Sequence, residues 1–178
     1  MSSPSIPTQT EVFGKAVSSI LAGMLAIQSR AERMLAANGI TPLVEEQWYP
    51  LESVLKTFYD VQKQIGPNTV RAIGRKCASV APFPVINSME EALRGLGMAY
   101  LMNHRGNTDI GGYHYTALGD RRGRMLCDNP YPCEFDEGLI DALTERFRPA
   151  DAFFVRIEHE PSTCRQRGDT HCTYTIAW

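Results

Sequence analysis

The chain has 178 residues, of which 43% are hydrophobic and 21% are charged. This composition fits one globular domain, or one domain with an N-terminal helical extension, and argues against a disordered chain. The formal net charge is −2, so the basic excess that is typical of nucleic-acid binders is missing. There is neither an apolar run of about eighteen residues nor a basic, apolar leader, so we expect no membrane span, no secretory signal and a cytoplasmic location.

The N-terminal quarter of the chain predicts a short lead-in and one long helix. Residues 1–9 are polar and proline-containing, and we expect them to be disordered. Residues 10–39 carry apolar side chains at helical spacing and end at Gly39, which predicts a single long helix. Its apolar stripe suits the core of the domain or the contact of a homodimer, and both interpretations stay open.

Three further helices are expected in the first half of the chain. One begins at Pro50 and ends before Gly66, and the next covers about residues 69–78. A capping-box pattern over residues 88–91 predicts the start of another, because Ser at the N-cap and Glu three residues later satisfy backbone groups there.

The periodicity changes to that of strands after about residue 110. Alternating patterns predict strands at residues 113–118, 124–127, 153–159 and 171–178, and Asp136 is expected to cap a helix inserted between the second and third strands. The order strand-strand-helix-strand-strand predicts an α+β fold in which N-terminal helices pack on a four-stranded, mostly antiparallel sheet. We expect residues 10–178 to form a single domain.

Five cysteines form the most informative chemical pattern of the sequence. Cys127 and Cys133 bracket one turn-rich loop, and Cys164 and Cys172 bracket another. Four thiolates can hold zinc in tetrahedral geometry, which predicts a structural metal site at these four residues. Buried or free thiols, disulfides or redox chemistry and an iron–sulfur cluster are the alternatives that the spacing leaves open.

Polar and aromatic side chains near the junction of the two halves predict a ligand pocket. These candidate ligand-binding residues are Trp48, Tyr100, His104, Tyr113 and Tyr115. Aromatic rings bury a large area and a hydroxyl or imidazole group can orient a ligand, although the same residues also suit an ordinary core.

The C-terminal stretch from Glu160 to Ile176 resembles the closing motif of 4-vinyl reductase domains. The resemblance lies in an acidic residue, Cys164, a turn containing Gly168, Cys172 and an alternating strand. It implies helices packed on an antiparallel sheet that encloses an apolar pocket for a hydrocarbon or phenol-like ligand. It also implies zinc held by Cys164, Cys172, an earlier cysteine and a glutamate near Glu160.

These observations predict a non-catalytic domain that binds or senses a small hydrophobic or aromatic molecule and is stiffened by zinc. The alternative is an enzyme or accessory factor that acts on a tetrapyrrole-like substrate with a heme or iron–sulfur cofactor. No nucleophile elbow, phosphate loop or dinucleotide fingerprint is present, so no catalytic residue is predicted and binding is favoured over catalysis.

Overall fold

The computed structural model describes residues 9–107, 109–119 and 121–178. The predicted α+β fold is confirmed, with helices packed against antiparallel sheets. The expected lead-in lies almost wholly outside the described residues. Among those described, no helix has the length and apolarity that crossing a membrane requires.

A small first sheet, which the sequence did not predict, joins three distant segments. It consists of β1 (Glu11–Phe13), β2 (Trp48–Pro50) and β3 (His104–Arg105) in the antiparallel order β2-β1-β3. Strands of two or three residues are too short to show a period of two in a sequence. The pairing matters because it sets His104 directly opposite Val12.

The single long helix predicted over residues 10–39 is wrong. The chain instead forms β1 followed by α1 (Gly14–Val17), α2 (Ser19–Gly23), a 3-10 turn (Leu25–Ile27) and α3 (Gln28–Ala37). Met24 leaves the helical region with φ −113° and ψ 24°. A Cβ at Gly23 would overlap Ile73, so α2 rests directly on the helix that carries Ile73, and this contact redirects the chain.

The next three predicted helices are confirmed. They are α4 (Leu51–Gln64), α5 (Pro67–Val80) and α6 (Met89–Met102). Ser88 caps α6 by accepting a hydrogen bond from the Glu91 backbone N–H at 3.2 Å, as the capping-box pattern indicates.

The helix α7 (Cys133–Arg146) begins three residues before the predicted capping residue. Asp136 is fully buried within it, so its assignment as the N-cap was wrong. Helix α7 lies so close to α5 that a Cβ at Gly74 or Gly138 would overlap the facing backbone. Outside this contact, ion pairs join Arg71 to Glu137 and Arg75 to Asp141.

The second sheet has the predicted four strands. They are β4 (Tyr113–Ala117), β5 (Arg122–Cys127), β6 (Arg156–His159) and β7 (Cys172–Ala177), all antiparallel in the order β4-β5-β7-β6. Strand β6 is shorter than the predicted 153–159 segment. Phe153 and Phe154, expected within that strand, are 94% and 71% exposed just before β6 begins.

Candidate functional site

A small apolar cavity lies between β1, the helices α1, α2, α4, α5, α6 and α7, and the start of β4. Its volume is about 50 Å³, which is room for a few water molecules or one diatomic molecule. Most of its wall is hydrocarbon, supplied by Val12, Val17, Val54, Phe58, Leu96 and Leu139 among others. The polar wall residues are few, and two of them carry groups that can bind a metal, His104 and Cys77. Burial raises the pKa of the Cys77 thiol to about 12, so the neutral imidazole of His104 is the better donor.

His104 is held in one orientation by two hydrogen bonds and by β3. Its Nδ1 lies 2.6 Å from the carbonyl oxygen of Tyr100, and its Nε2 lies 2.8 Å from the hydroxyl oxygen of Tyr131. A carbonyl oxygen can only accept, so Nδ1 carries the proton and Nε2 accepts from the Tyr131 hydroxyl. The lone pair of the ring therefore lies at Nε2, where Tyr131 covers it.

Burial keeps the imidazole of His104 neutral. The side chain is almost fully enclosed, and this burial lowers the pKa of His104 to about 4, against the smaller opposing effect of its bond to the Tyr100 backbone. A protonated ring would lose its hydration, and among the described residues its hydrogen-bond partners are the Tyr100 carbonyl and the Tyr131 hydroxyl rather than a carboxylate. At ordinary pH the ring is therefore neutral, with a proton on Nδ1 and a lone pair on Nε2.

Asn103, the residue before His104, also lines the cavity and has an unused acceptor. Its side-chain N–H groups donate to the backbone oxygens of Pro82 and Ala99 at 2.9 and 2.7 Å. Its Oδ1 is buried without a hydrogen-bond partner among the described residues. Buried acceptors are normally satisfied, so a water molecule or a ligand with a donor group suits this position.

The residues predicted to bind a ligand divide into two groups. Tyr100, His104 and Tyr113 line the cavity. Trp48 instead packs on Phe13, with ring centroids 5.0 Å apart, outside the cavity wall.

Tyr115, another predicted ligand residue, also lies outside that wall. Its ring is covered by the guanidinium of Arg94 at 5.2 Å. Sequence reasoning missed Phe58, Tyr131 and Phe135, whose rings form the wall facing His104. Tyr131 lies before the first residue of α7 and Phe135 within it, so no single periodic pattern in the sequence joins the three rings.

A second cluster consists of three cysteines that are distant in sequence, of which Cys133 and Cys172 are buried and Cys164 is half-buried. The sulfur of Cys133 lies 3.8 Å from that of Cys164 and 3.1 Å from that of Cys172. All three sulfur atoms lie within 4.8 Å of one another. The cluster joins the start of α7, the loop after β6 and the start of β7.

The electrostatics of the thiol cluster favour a thiolate at Cys172. A hydrogen bond from the Cys133 thiol lowers the pKa of Cys172 to about 4, with further help from the backbone N–H and side chain of Arg165. The same bond raises the pKa of Cys133, and burial raises it further. The Arg165 N–H donates to the Cys172 sulfur at 3.4 Å.

The fourth predicted cysteine ligand, the glutamate that the resemblance implies and the neighbouring His159 lie outside the three-sulfur cluster. Cys127 is opposite Cys172 in the β5–β7 pairing, but its sulfur is not part of the three-sulfur cluster. Glu160 bonds to Thr175 at 2.9 Å, and His159 stacks on the ring of Tyr174.

A buried ion pair lies beside the thiol cluster. Arg165 donates to Asp136, whose carboxylate also accepts from Tyr113 at 2.6 Å and from Asn129 at 3.2 Å. Burial raises the pKa of Asp136 to about 6, and the Arg165 charge and these two donors partly oppose that rise. This network fixes the 3-10 turn at residues 165–167 against α7.

Comparisons with known proteins place the fold. No family model matches the chain, and no curated protein matches it. A solved H-NOX protein from S. oneidensis, in its Fe(II)NO ligation state, is 14% identical with a TM-score of 0.67, covering 92% of this chain and 97% of that one. An oxygen-binding H-NOX domain related to soluble guanylate cyclases, in its oxygen complex, is 13% identical with a TM-score of 0.64, covering 92% and 91%.

A third solved structure, described as probing heme distortion in the H-NOX family, is 12% identical with a TM-score of 0.64 and covers 93% of this chain and 94% of that one. The chain therefore has the fold of H-NOX domains. At these identities the likeness establishes the fold, and function has to be argued from the site.

The resemblance to 4-vinyl reductase domains was wrong. The solved structures described above are H-NOX domains and match nearly the whole chain. The assignment to a zinc-containing 4-vinyl reductase domain is therefore not supported. The C-terminal motif misled because two cysteines around a glycine turn, followed by an alternating strand, describe any thiol-bearing antiparallel hairpin.

Proposed function

We propose that this domain is a sensor that binds heme through Nε2 of His104. The observation that carries the proposal is a neutral imidazole whose Nδ1–H is fixed on a backbone carbonyl and whose Nε2 is directed to Tyr131 in an apolar enclosure. Histidines that bind metals in proteins usually have this second hydrogen bond, which fixes the tautomer and the ring orientation. The similar solved structures, described with NO, oxygen and heme, support the same conclusion.

Nε2 of His104 is a suitable ligand for heme iron, but the cavity around it has to become larger to hold heme. The cavity measures about 50 Å³, and pockets for larger ligands usually measure about 300 to 1,000 Å³. Heme entry therefore requires Tyr131 to release Nε2 and the facing rings of Phe58 and Phe135 to move. Since none of the cavity-lining residues is cationic, the two carboxylates of heme have to reach outside the cavity.

Bound heme would be held by His104 and would supply an iron that can bind a small neutral ligand. The protein's own part is to exclude water with the apolar wall and to hold the ring. The Tyr100 carbonyl ties the ring to the last turn of α6, and the His104 backbone pairs with Val12. A movement of the ring is therefore passed to both α6 and β1.

The test is reconstitution of the purified chain with hemin, followed by absorption spectroscopy. We expect a one-to-one complex with a Soret band distinct from that of free hemin. His104→Gly should lose this band, and added imidazole should restore it because a free imidazole can occupy the vacated position. Tyr131→Phe should bind hemin at least as tightly as the wild type, since it uncovers Nε2.

His171→Gly is the matched control, because His171 lies outside the cavity wall and should leave the complex unchanged. Circular dichroism establishes that each variant is folded. If the folded wild-type chain binds no hemin, or if His104→Gly binds it equally well, His104 is not a heme ligand.

We also propose that Cys133, Cys164 and Cys172 bind a thiophilic divalent cation. Thiolates about 2.3 Å from a tetrahedral ion lie about 3.8 Å from one another. The Cys133–Cys164 distance is 3.8 Å, and the Cys133–Cys172 distance is 3.1 Å, so small side-chain movements bring the sulfur atoms to this geometry. Arg165 donates to the Cys172 sulfur and offsets the negative charge of the thiolates.

Titration with Co²⁺ tests this site, because thiolate coordination gives charge-transfer and visible bands that oxygen ligands do not give. We expect saturation at one ion per chain, and loss of the bands in Cys164→Ser. Cys77→Ala is the control, because Cys77 lies in the cavity wall and not in the cluster. A wild-type chain without thiolate bands in reducing buffer, or equal effects of both variants, contradicts the proposal.

A further inference from the structure

Strand β6 forms one edge of the four-stranded sheet and is exposed. It pairs with β7 on one side, and no other described strand lies on its outer side. The residues just before it, Phe153 and Phe154, are 94% and 71% exposed. An open edge next to exposed aromatic rings is a surface on which another strand can pair.

The hydrogen-bond pattern shows which backbone groups of β6 are available. The Glu160 N–H donates to the Thr173 oxygen at 2.8 Å, and alternate residues of an antiparallel strand point to the same side. The backbone groups of Arg156 and Glu158 are therefore directed to β7. Those of Ile157 and His159 are directed outward and have no partner in the described residues.

We propose that two copies of this chain pair through β6, antiparallel and with Ile157 opposite Ile157 of the second copy. In a two-fold antiparallel pairing of identical strands, one central residue lies opposite its own copy. The choice of this central residue determines which charged side chains face each other. Centring on Ile157 makes hydrogen bonds between outward-directed groups and sets Arg156 opposite the Glu158 of the second copy, twice.

The other centres within β6 bring like charges together. Centring on Arg156 opposes two arginines. Centring on Glu158 opposes two glutamates at the centre, although it also sets Arg156 opposite Glu160 twice. Centring on His159 places Glu158 opposite Glu160 twice and leaves Pro161, which has no N–H, opposite Ile157. Opposite charges across a strand pair stabilise it and like charges destabilise it. Of the four registers, the one centred on Ile157 is the one without a like-charge pair, so the charge pattern of β6 favours it.

The exposed phenylalanines fit the same register. Continuing the pairing outward brings residues 153–154 to residues 160–161 of the second copy, where Phe153 meets a proline. Apolar surface that is solvent-exposed in the single chain is covered in the pair. Because β6 has only four residues, the contact is short, and we expect a concentration-dependent dimer.

Sedimentation equilibrium of the full chain over a wide concentration range tests the proposal through charge reversal. Arg156→Glu and Glu158→Arg should each raise the dimer dissociation constant at least about tenfold, since each turns two attractive contacts between the copies into two repulsive ones. Each single reversal also breaks the ion pair that joins Arg156 to Glu158 within one chain. The double variant R156E/E158R restores opposite charges in every contact and should recover most of the affinity.

Arg33→Glu is the charge-matched control, because Arg33 is exposed on α3 far along the chain from β6, and it should leave the dissociation constant unchanged. Melting temperatures establish that every variant is folded. A chain that is monomeric at all concentrations overturns the proposal. A dimer that is insensitive to the single reversals, or is not rescued by the double one, also overturns it.

Discussion

The cavity at His104 and the thiol cluster both lie largely inside the molecule, with Cys164 half-buried, yet they differ in chemistry. The cavity is apolar and holds a neutral imidazole, whereas the cluster lies beside the Arg165–Asp136 ion pair. Both are built on one short segment. Tyr131 and Phe135 face the cavity, while Cys133 joins the cluster.

This difference shows how one helix start can serve two environments. Tyr131 lies just before α7 and Phe135 in its first turn, and their rings stack with centroids 5.0 Å apart. Cys133, between them in sequence, points to the other side, so this short segment puts rings on one side and a thiol on the other. A disturbance on either side has to pass through the first turn of α7, and the following changes test that coupling from the largest expected effect to the smallest.

Removing the buried cation should have the largest effect on stability. Arg165→Met leaves the carboxylate of Asp136 buried without its charge partner, which should lower the free energy of unfolding by about 3–5 kcal/mol. Urea denaturation measures this loss. Arg167→Met, on the exposed side of the same turn, should change it by less than about 0.5 kcal/mol, and equal losses would show that the ion pair is not what fixes the turn.

The neutral histidine predicts a pH dependence on the cavity side. The folded pKa of His104 is about 4 against an ordinary value of 6.5, so the unfolded chain takes up a proton as the pH falls below 6.5 and the folded chain does not. Lowering the pH from above 6.5 to about 4 should therefore lower the free energy of unfolding by about 3 kcal/mol.

The measurement is the free energy of unfolding of the heme-free chain between pH 7 and pH 4, compared with His104→Gln. Because glutamine does not titrate in this range, the difference between the two proteins isolates the histidine. Parallel curves for the two proteins would mean that His104 protonates equally in the folded and unfolded chains.

Substituting a glycine at the contact between α5 and α7 should displace α7 as a whole and so affect the cavity and the thiol cluster together. Gly74→Ala puts a methyl group against the Phe135 carbonyl, and such overpacking costs about 1–3 kcal/mol. The shift should weaken hemin and Co²⁺ binding together, because Phe135 and Cys133 move with the same turn. Thermal melts and the two titrations report these effects.

Gly95→Ala supplies the contrast within a helix. The nearest atom that its Cβ would meet is a ring carbon of Phe83 at 3.5 Å, an ordinary contact. We expect the melting temperature to stay the same or rise, since alanine is favoured over glycine within a helix by about 0.5–1 kcal/mol. If Gly95→Ala lowers the melting temperature as much as Gly74→Ala does, the close contact between α5 and α7 does not explain the effect of Gly74→Ala.

The sequence predicted elements whose pattern repeats over enough residues. Helices α4, α5 and α6 show several turns of amphipathic spacing, and β7 shows a clear alternation. The prediction of one long N-terminal helix was wrong because the path of this segment depends on contacts between residues far apart in the chain. Its apolar stripe favours a helix, but pairing of β1 with β2 and β3, together with close contact between α2 and α5, decided its path.

The candidate sites show the same division. Residue types alone named His104, Tyr100 and the three clustered cysteines as chemically useful. Only the tertiary structure showed that Tyr131 covers the lone pair of His104, that Trp48 lies outside the cavity wall, and that Cys127 is not one of the clustered sulfur atoms.

What the sequence determined by itself was the class of fold, the order of its long elements and the inventory of reactive groups, because these depend on composition and on periodicity within one segment. The tertiary structure decided which groups meet and in which protonation state. Contacts between residues far apart in the chain leave no local pattern, and the pKa of a side chain depends on the burial and charges that those contacts create.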